Sequence, residues 1–100
     1  MKVYICGNKK NRKQFKNAEK RLREQGHVPV NPIKIMHSLP EEINNSDFTI
    51  ISFELIRICD AVCPLEGWEK DLLARVEMAH AKREGKDMGL SLVLNISEMV

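Results

Sequence analysis

Lys2-Val3-Tyr4-Ile5-Cys6-Gly7-Asn8 is the stretch of this sequence that decides the fold. Its β-branched and aromatic residues predict a strand over residues 3–6, and the glycine and asparagine end that strand. A polar run with helical spacing follows at once. A strand followed by a helix is how a parallel α/β sheet is built along a chain.

The first helix is predicted from about residue 11 to residue 25. Phe15, Ala18 and Leu22 stand at positions i, i+3 and i+7, so they form one apolar stripe on an otherwise charged helix. Gly26 is the expected C′ glycine of that helix. The first strand and this helix therefore form the first half of a βαβ unit.

The middle of the chain predicts a second strand and a second helix. The strand covers residues 27–30 and contains Pro29, which cannot donate to a ladder, so an edge or strand-end position is favoured. Ser38-Leu39-Pro40-Glu41 has the spacing of a capping box, which predicts a helix that begins at Ser38. Residues 43–58 also have strand-like composition, but length and the upstream cap favour helix. Three apolar residues continue a helical stripe there: Ile51, Leu55 and Ile58.

The last third of the chain predicts a buried strand over residues 60–65, which Glu66 and Gly67 end, and then a third helix that ends near Gly85. One face of this helix is marked by Leu72, Leu73, Val76, Ala79 and His80. Residues 88–90 and 92–94 are each apolar enough to form a further strand, and both alternatives stay open.

Strands that alternate with helices predict an α/β protein with a three-layer, flavodoxin-like or Rossmann-like parallel sheet of four or five strands and helices on both faces. The 100 residues suffice for a single domain, 1–100.

Charge and cysteine usage restrict the function classes. The chain has 16 basic and 14 acidic residues, a formal charge of +2, which does not favour binding to a nucleic-acid polymer. Its three cysteines, Cys6, Cys59 and Cys63, lack the spacing and histidine partners of a zinc site and suit buried thiols in a reducing compartment. No segment approaches the roughly 20 apolar residues of a membrane span. We expect a cytoplasmic protein without a metal, a cofactor or a membrane contact.

The candidate site lies at the carboxyl ends of the predicted strands, where parallel sheets bind ligands. The loop after the first strand offers Gly7 for close backbone approach. Asn8, Lys9 and Arg12 follow at the start of a helix, whose free N–H groups and dipole attract anions. This loop predicts a phosphate or carboxylate site. The alternative is a solvated basic helix end.

A second group of candidates follows the third predicted strand. Asp71 and Glu77 reach one pocket if the helix begins near Asp71, with that residue as its N-cap. Glu77 borders the apolar face and is expected to lie partly out of water. Its alternative role is an ordinary flank residue paired with a nearby cation. Trp68 either covers the core or presents its indole to a nucleobase.

Three segments together resemble the nucleoside 2-deoxyribosyltransferase superfamily, in particular its short, often phage-encoded branch. They are residues 2–7, residues 21–28 with Asn31-Pro32, and residues 59–69. The likeness covers about residues 2–87, and Asp71 to Glu77 is similar to the family's Asp-x-Gly-x-x-x-Glu signature. Leu73 stands where that signature has glycine, and Met78 and Ala79 follow Glu77 where another glycine is expected.

The resemblance implies that Glu77 attacks the anomeric carbon of a deoxyribonucleoside and that Asp71 contacts or protonates the departing base. It also implies a set of residues that bind the substrate: Tyr4, Gly7, Asn8, Lys9, Arg12, Gly67 and Trp68. Lys9 and Arg12 suit a 5′-monophosphate. The expected partners are a nucleoside or nucleotide and further copies of the chain, as a homodimer or higher homo-oligomer.

Two other functions stay open. Leu73 in place of the glycine favours a module that binds a nucleotide, for sensing or sequestering, without reacting with it. The apolar helix around residues 48–58 favours an oligomeric interaction protein, and exposed Ile50 or Phe53 would indicate a partner surface.

Overall fold

A computed structural model of the chain describes residues 1–88. Its three strands form a parallel sheet in the order β2-β1-β3, with bounds β1 (Lys2–Cys6), β2 (Val28–Val30) and β3 (Ala61–Pro64). The helices are α1 (Arg12–Glu24), α2 (Pro32–His37), α3 (Asn45–Ile58) and α4 (Leu72–Arg83), with a 3₁₀ turn over Trp68–Lys70 before α4. The predicted α/β class is confirmed.

The first predicted strand lies in the centre of this sheet. β1 pairs in parallel with β2 on one side and with β3 on the other. The proline-containing strand β2 is at the edge, as predicted. The sheet described has three strands rather than four or five; beside β3, Asp87 forms one parallel bridge with Ala61. The two further strand candidates, 88–90 and 92–94, lie outside the described residues apart from Met88.

The alternation of side chains along β1 creates two apolar clusters. Val3 and Ile5 face the buried stripe of α1, which consists of Phe15, Ala18 and Leu22 as predicted. Tyr4 and Cys6 face the opposite side and pack with α3 and α4. Because successive strand residues point to opposite faces, one short strand contributes to both clusters, and helices cover both faces of the sheet.

The predicted helix start at Ser38 is wrong. A short helix, α2, begins earlier, because the Asn31 side chain accepts a hydrogen bond from the Ile33 amide and Pro32 occupies the first turn. Ser38 is the C-cap of that helix. The capping box belongs to α3: Asn44 Oδ1 accepts from the Asp47 amide at 2.8 Å, and Asp47 Oδ2 accepts from the Asn44 amide at 3.2 Å. Asn31 caps the helix before Ser38 and Asn44 caps the helix after it, so no helix begins at Ser38.

The predicted buried faces of α3 and α4 need correction. On α3 the buried residues are Phe48, Ser52 and Ile56. Of the predicted stripe, Ile51 and Leu55 are half-buried, Leu55 against the cluster that contains Tyr4, whereas Ile58 is 49% exposed. On α4 four members of the predicted face are exposed, with Leu72 at 71%, and the fifth, His80, is half-buried. The buried residues of α4 are Ala74, Glu77, Met78 and Ala81. Small alanines let α4 approach the sheet closely. The apolar pattern does not reveal this face, because the face includes the charged residue Glu77. Glu77 is buried there because it contacts Tyr4 on β1 and Lys9 in the loop after β1.

Several apolar side chains on the outer faces of α3 and α4 are exposed, among them Ile50, one of the two predicted markers of a partner surface. Phe53 is half-buried and its ring stacks on the His80 ring at 4.0 Å. The homo-oligomer stays a prediction. Within residues 1–88, no helix is both long and apolar enough to span a bilayer.

We predict that Asn44→Ala destabilises the protein by about 1 kcal/mol, because it removes the side-chain acceptor of the α3 capping box. Glu41→Ala, at the capping box predicted from the sequence, is the control and changes stability by less than about 0.5 kcal/mol, since Glu41 is exposed. Urea denaturation followed by circular dichroism measures both. Equal losses would contradict the boundary of α3.

Buried thiols predict a loss of stability in alkali. Burial raises the pKa of Cys63 from 9.0 to about 12 and that of Cys59 to about 11. Between pH 9 and the folded-state pKa, the unfolded chain has lost protons that the folded chain keeps, so stability falls as pH rises. Each such thiol contributes about 1.4 kcal/mol per pH unit in that window. Cys63→Ala removes one thiol's share of this slope, measured by urea unfolding at pH 7 to 11; an unchanged slope would contradict this account.

Candidate active site

The Glu77 carboxylate is the centre of the site. It lies in the second turn of α4, is 3% exposed, and points toward the carboxyl end of β1. The Tyr4 hydroxyl donates a hydrogen bond to its Oε2 at 2.7 Å. Burial, and then the negative charge of Glu77, raise the pKa of Tyr4 well above its ordinary value. Tyr4 is therefore a neutral phenol that orients one carboxylate oxygen.

Lys9 supplies the positive charge opposite this carboxylate. Its Nζ lies 3.0 Å from Glu77 Oε2 and 3.1 Å from Oε1, so the ammonium contacts both oxygens. The Lys9 side chain is 13% exposed, and its Nζ also lies 5.9 Å from the centroid of the Phe48 ring. Such an ion pair is stable only while both members are present, because an unpaired charge at this depth is poorly solvated.

Cys6 is a site residue that sequence reasoning missed. Its Sγ lies 3.4 Å from the Ala74 carbonyl oxygen and 3.5 Å from Glu77 Oε1, so its single S–H has two acceptors within reach. Burial, followed by the charge of Glu77, raises the pKa of this thiol well above its ordinary range, so it stays protonated. The signal that points to Cys6 is strand alternation: residues 4 and 6 share one face of β1.

Asp71 begins the helix that carries Glu77. It is the N-cap of α4, as the sequence predicted, and its Oδ2 accepts from the Ala74 amide at 2.9 Å. Just before it, Gly67 adopts a left-handed conformation (φ 89°) that reverses the chain after β3. Trp68 then packs against the cluster that contains Tyr4 and Cys6. The turn and the cap thus set where α4 starts and where Glu77 points.

The first loop brings Lys9 to the site through close packing. A Cβ on Gly7 would lie 3.0 Å from the Leu65 Cβ, so a larger residue here would require Leu65 to shift, and glycine lets the loop pass close to the end of β3. The Asn8 side chain accepts a hydrogen bond from the Lys10 amide and so shapes the loop itself. Arg12 is exposed and, within residues 1–88, forms no ion pair.

The structure thus brings three predicted residues into direct contact, Tyr4, Lys9 and Glu77, and places Asp71 and Trp68 beside them. Arg12 and the Asn8 side chain are not part of this contact. No group of three or more histidine, cysteine or acidic side chains that could bind a metal ion is found within residues 1–88. The contacts described around Glu77 are hydrogen bonds and one ion pair.

The model of one protein family, described as "Domain of unknown function (DUF4406)", matches residues 1–89. The chain belongs to this family. The DUF4406 domain includes both sides of the site, since the β1 loop and α4 lie within it. No curated protein and no solved structure matches the chain.

We predict that Lys9→Met destabilises the DUF4406 domain by about 3 kcal/mol at neutral pH, because it leaves a buried carboxylate without its counter-ion. In the double variant Lys9→Met/Glu77→Gln the loss is smaller than the sum of the single losses by about 2 kcal/mol. Chemical denaturation of the four proteins completes the cycle. Lys10→Met, an exposed neighbour, is the control. Additive losses would show that the two side chains do not interact.

Proposed function

We propose that this protein cleaves or exchanges the N-glycosidic bond of a deoxynucleoside or its 5′-monophosphate, with Glu77 as the nucleophile. The observation that carries the proposal is the Glu77 carboxylate, buried at the carboxyl end of the central strand and hydrogen-bonded by Tyr4. Burying a carboxylate costs free energy, because the charge loses its hydration, and a buried ion pair adds little net stability to a fold. Its position is where ligands bind in parallel α/β sheets.

The reaction runs in two steps. A Glu77 oxygen attacks the anomeric carbon while the carbon–nitrogen bond breaks, and the base leaves with the electron pair and takes up a proton. The resulting glycosyl ester on Glu77 is then attacked by water, which gives hydrolysis, or by a second base, which gives transfer. The Tyr4 hydrogen bond orients the carboxylate and shares the charge on its other oxygen.

We propose that Asp71 and Trp68 interact with the departing base. Asp71 uses one carboxylate oxygen to cap α4, and we propose that its other oxygen contacts the base or passes a proton to it. Trp68 offers an aromatic surface on the same side of the sheet. Leu73, where the resemblance expects glycine, is 40% exposed and stands one helical turn before Glu77.

The ion pair with Lys9 limits the access of substrate to the Glu77 carboxylate. The ammonium contacts both carboxylate oxygens, so it has to move before one of them reaches an anomeric carbon. A 5′-phosphate gives the departing ammonium a new anionic partner, whereas a neutral nucleoside does not. Together with the N-terminus of α1, which begins three residues after Lys9, this favours the monophosphate over the free nucleoside as substrate.

The same ion pair favours a second candidate, a nucleotide-binding module without catalysis. Lys9 neutralises Glu77, and a carboxylate that stays paired does not attack carbon. In this alternative the nucleotide binds beside Lys9 and leaves unchanged.

One experiment separates the two. The protein is incubated with each deoxynucleoside and each 5′-monophosphate, and free base is followed by chromatography. We expect release of base from at least one monophosphate, faster than from its nucleoside. Glu77→Gln lowers this rate by at least about a thousandfold, because an amide is a poor nucleophile. Glu69→Gln, an exposed carboxylate in the 3₁₀ turn, is the matched control and leaves the rate unchanged.

Calorimetry on the same ligands gives the outcome against catalysis. Binding of a monophosphate without release of any base establishes the binding module, and full activity of Glu77→Gln would exclude Glu77 as the nucleophile. Intact-protein mass spectrometry of the wild type with excess substrate is expected to detect the glycosyl ester, and Glu77→Gln is expected to lack it.

A further inference from the structure

The solvent face of α1 carries a row of positive charge that lies outside the candidate active site. We propose that this face binds the phosphate backbone of nucleic acid without reading its sequence. The row consists of five exposed side chains, which we name the α1 basic row: Arg12, Lys13, Lys16, Lys20 and Arg23.

The helix geometry aligns these side chains. At about 100° per residue, all five lie within an arc of about 100°, opposite the buried stripe of Phe15, Ala18 and Leu22. At about 1.5 Å per residue, the row is about 16 Å long and presents one cation per roughly 4 Å. One strand of a duplex presents one phosphate per about 3.4 Å of helix axis, so the two charge densities match.

Neither acidic residue of α1 forms an ion pair with this row. Glu19 pairs with Lys34 of α2 at 2.8 Å, and Glu24 pairs with Arg21 of the same helix at 3.4 Å. Both of these cations lie outside the row. No carboxylate within residues 1–88 forms an ion pair with a member of the α1 basic row. The near-zero net charge of the chain therefore conceals a strongly uneven distribution.

The row is unfavourable for the free protein in two ways. Arg12 and Lys16 repel each other at i and i+4, and so do Lys16 and Lys20. The first turn of α1 contains cations and no acidic residue, which opposes the helix dipole. A bound polyanion relieves both effects, because it neutralises the row along its whole length.

The absence of apolar side chains on this face selects the class of partner. All three apolar residues of α1 are buried, so the face has neither the apolar anchors of a protein interface nor the apolar stripe of a membrane-surface helix. The row is also narrow and straight, which fits a linear polyanion better than a planar surface. A nucleic-acid backbone meets these requirements with charge alone.

Fluorescence anisotropy with a labelled 20-base-pair duplex of mixed sequence tests the proposal, over a series of salt concentrations. We expect weak, sequence-independent binding, with a dissociation constant of about 10⁻⁵ M near physiological salt. The logarithm of the association constant should fall with the logarithm of the salt concentration, with a slope of about −4 if most of the row contacts phosphates. A second duplex of unrelated sequence should give the same affinity.

Charge-neutral variants localise the surface. Lys16→Gln/Lys20→Gln should reduce the steepness of the salt dependence by about 2 and weaken binding about tenfold. Lys82→Gln/Arg83→Gln removes the same net charge from exposed positions at the end of α4 and is the matched control. Thermal unfolding should show no destabilisation of the α1 variant, because it relieves like-charge repulsion, so loss of binding is not loss of fold.

Three results would overturn the proposal. The first is no binding of duplex at about 50 mM salt, where phosphate contacts are strong, and the second is an equal loss of duplex affinity in both double variants. The third is binding of anionic lipid vesicles with no binding of duplex. The last result would assign the row to a membrane surface instead. Because base release and duplex binding are measured separately, failure of one leaves the other unaffected.

Discussion

A carboxylate buried between a helix and a sheet must find partners, and this requirement organises the site. Glu77 is removed from water by the packing of α4 on β1. Its solvation is replaced by the Tyr4 hydroxyl, the Lys9 ammonium and the Cys6 thiol. These three donors come from the central strand and the loop that follows it. The packing of α4 on the sheet and the path of the first loop therefore bring these three donors to one side chain.

The elements around the site serve this contact. Asp71 caps the N-terminus of α4, and a helix that begins there has Glu77 on the side that faces the sheet. The small side chain of Ala74 lets the helix approach the strand. Gly7 lets the first loop pass beside Leu65, which brings Lys9 over the carboxylate. Each is a small or capping residue rather than a reacting one. Their common role is to reduce the distance between two elements that are about seventy residues apart along the chain.

The candidate active site and the α1 basic row differ in how they handle charge. At the candidate active site, a cation and an anion are buried together and neutralise each other. Along α1, cations are spread over an exposed face, while the neighbouring acids pair elsewhere. A buried pair favours a small ligand that can replace one of its members. An exposed row favours an extended ligand that neutralises many charges at once.

Local patterns in the sequence were sufficient for the elements whose stability is local. The strand over residues 3–6, the buried stripe of α1 and the edge position of the proline-containing strand follow from alternation, helical periodicity and a missing donor. The N-cap role of Asp71 follows in the same way. The predicted helix start at Ser38 was wrong because Asn31 and Asn44 on either side are equally good capping residues. Sequence spacing does not show which of the three caps a helix.

The sequence alone determined an α/β fold with a candidate site at the carboxyl end of the first strand, since those signals are carried by neighbouring residues. Only the tertiary structure decided which face of α4 is buried. The apolar count favoured Leu72 and Val76, but the sheet accepts Glu77 because Tyr4 and Lys9 compensate its charge. That compensation comes from residues far away in the sequence, so it exists only once the chain has folded.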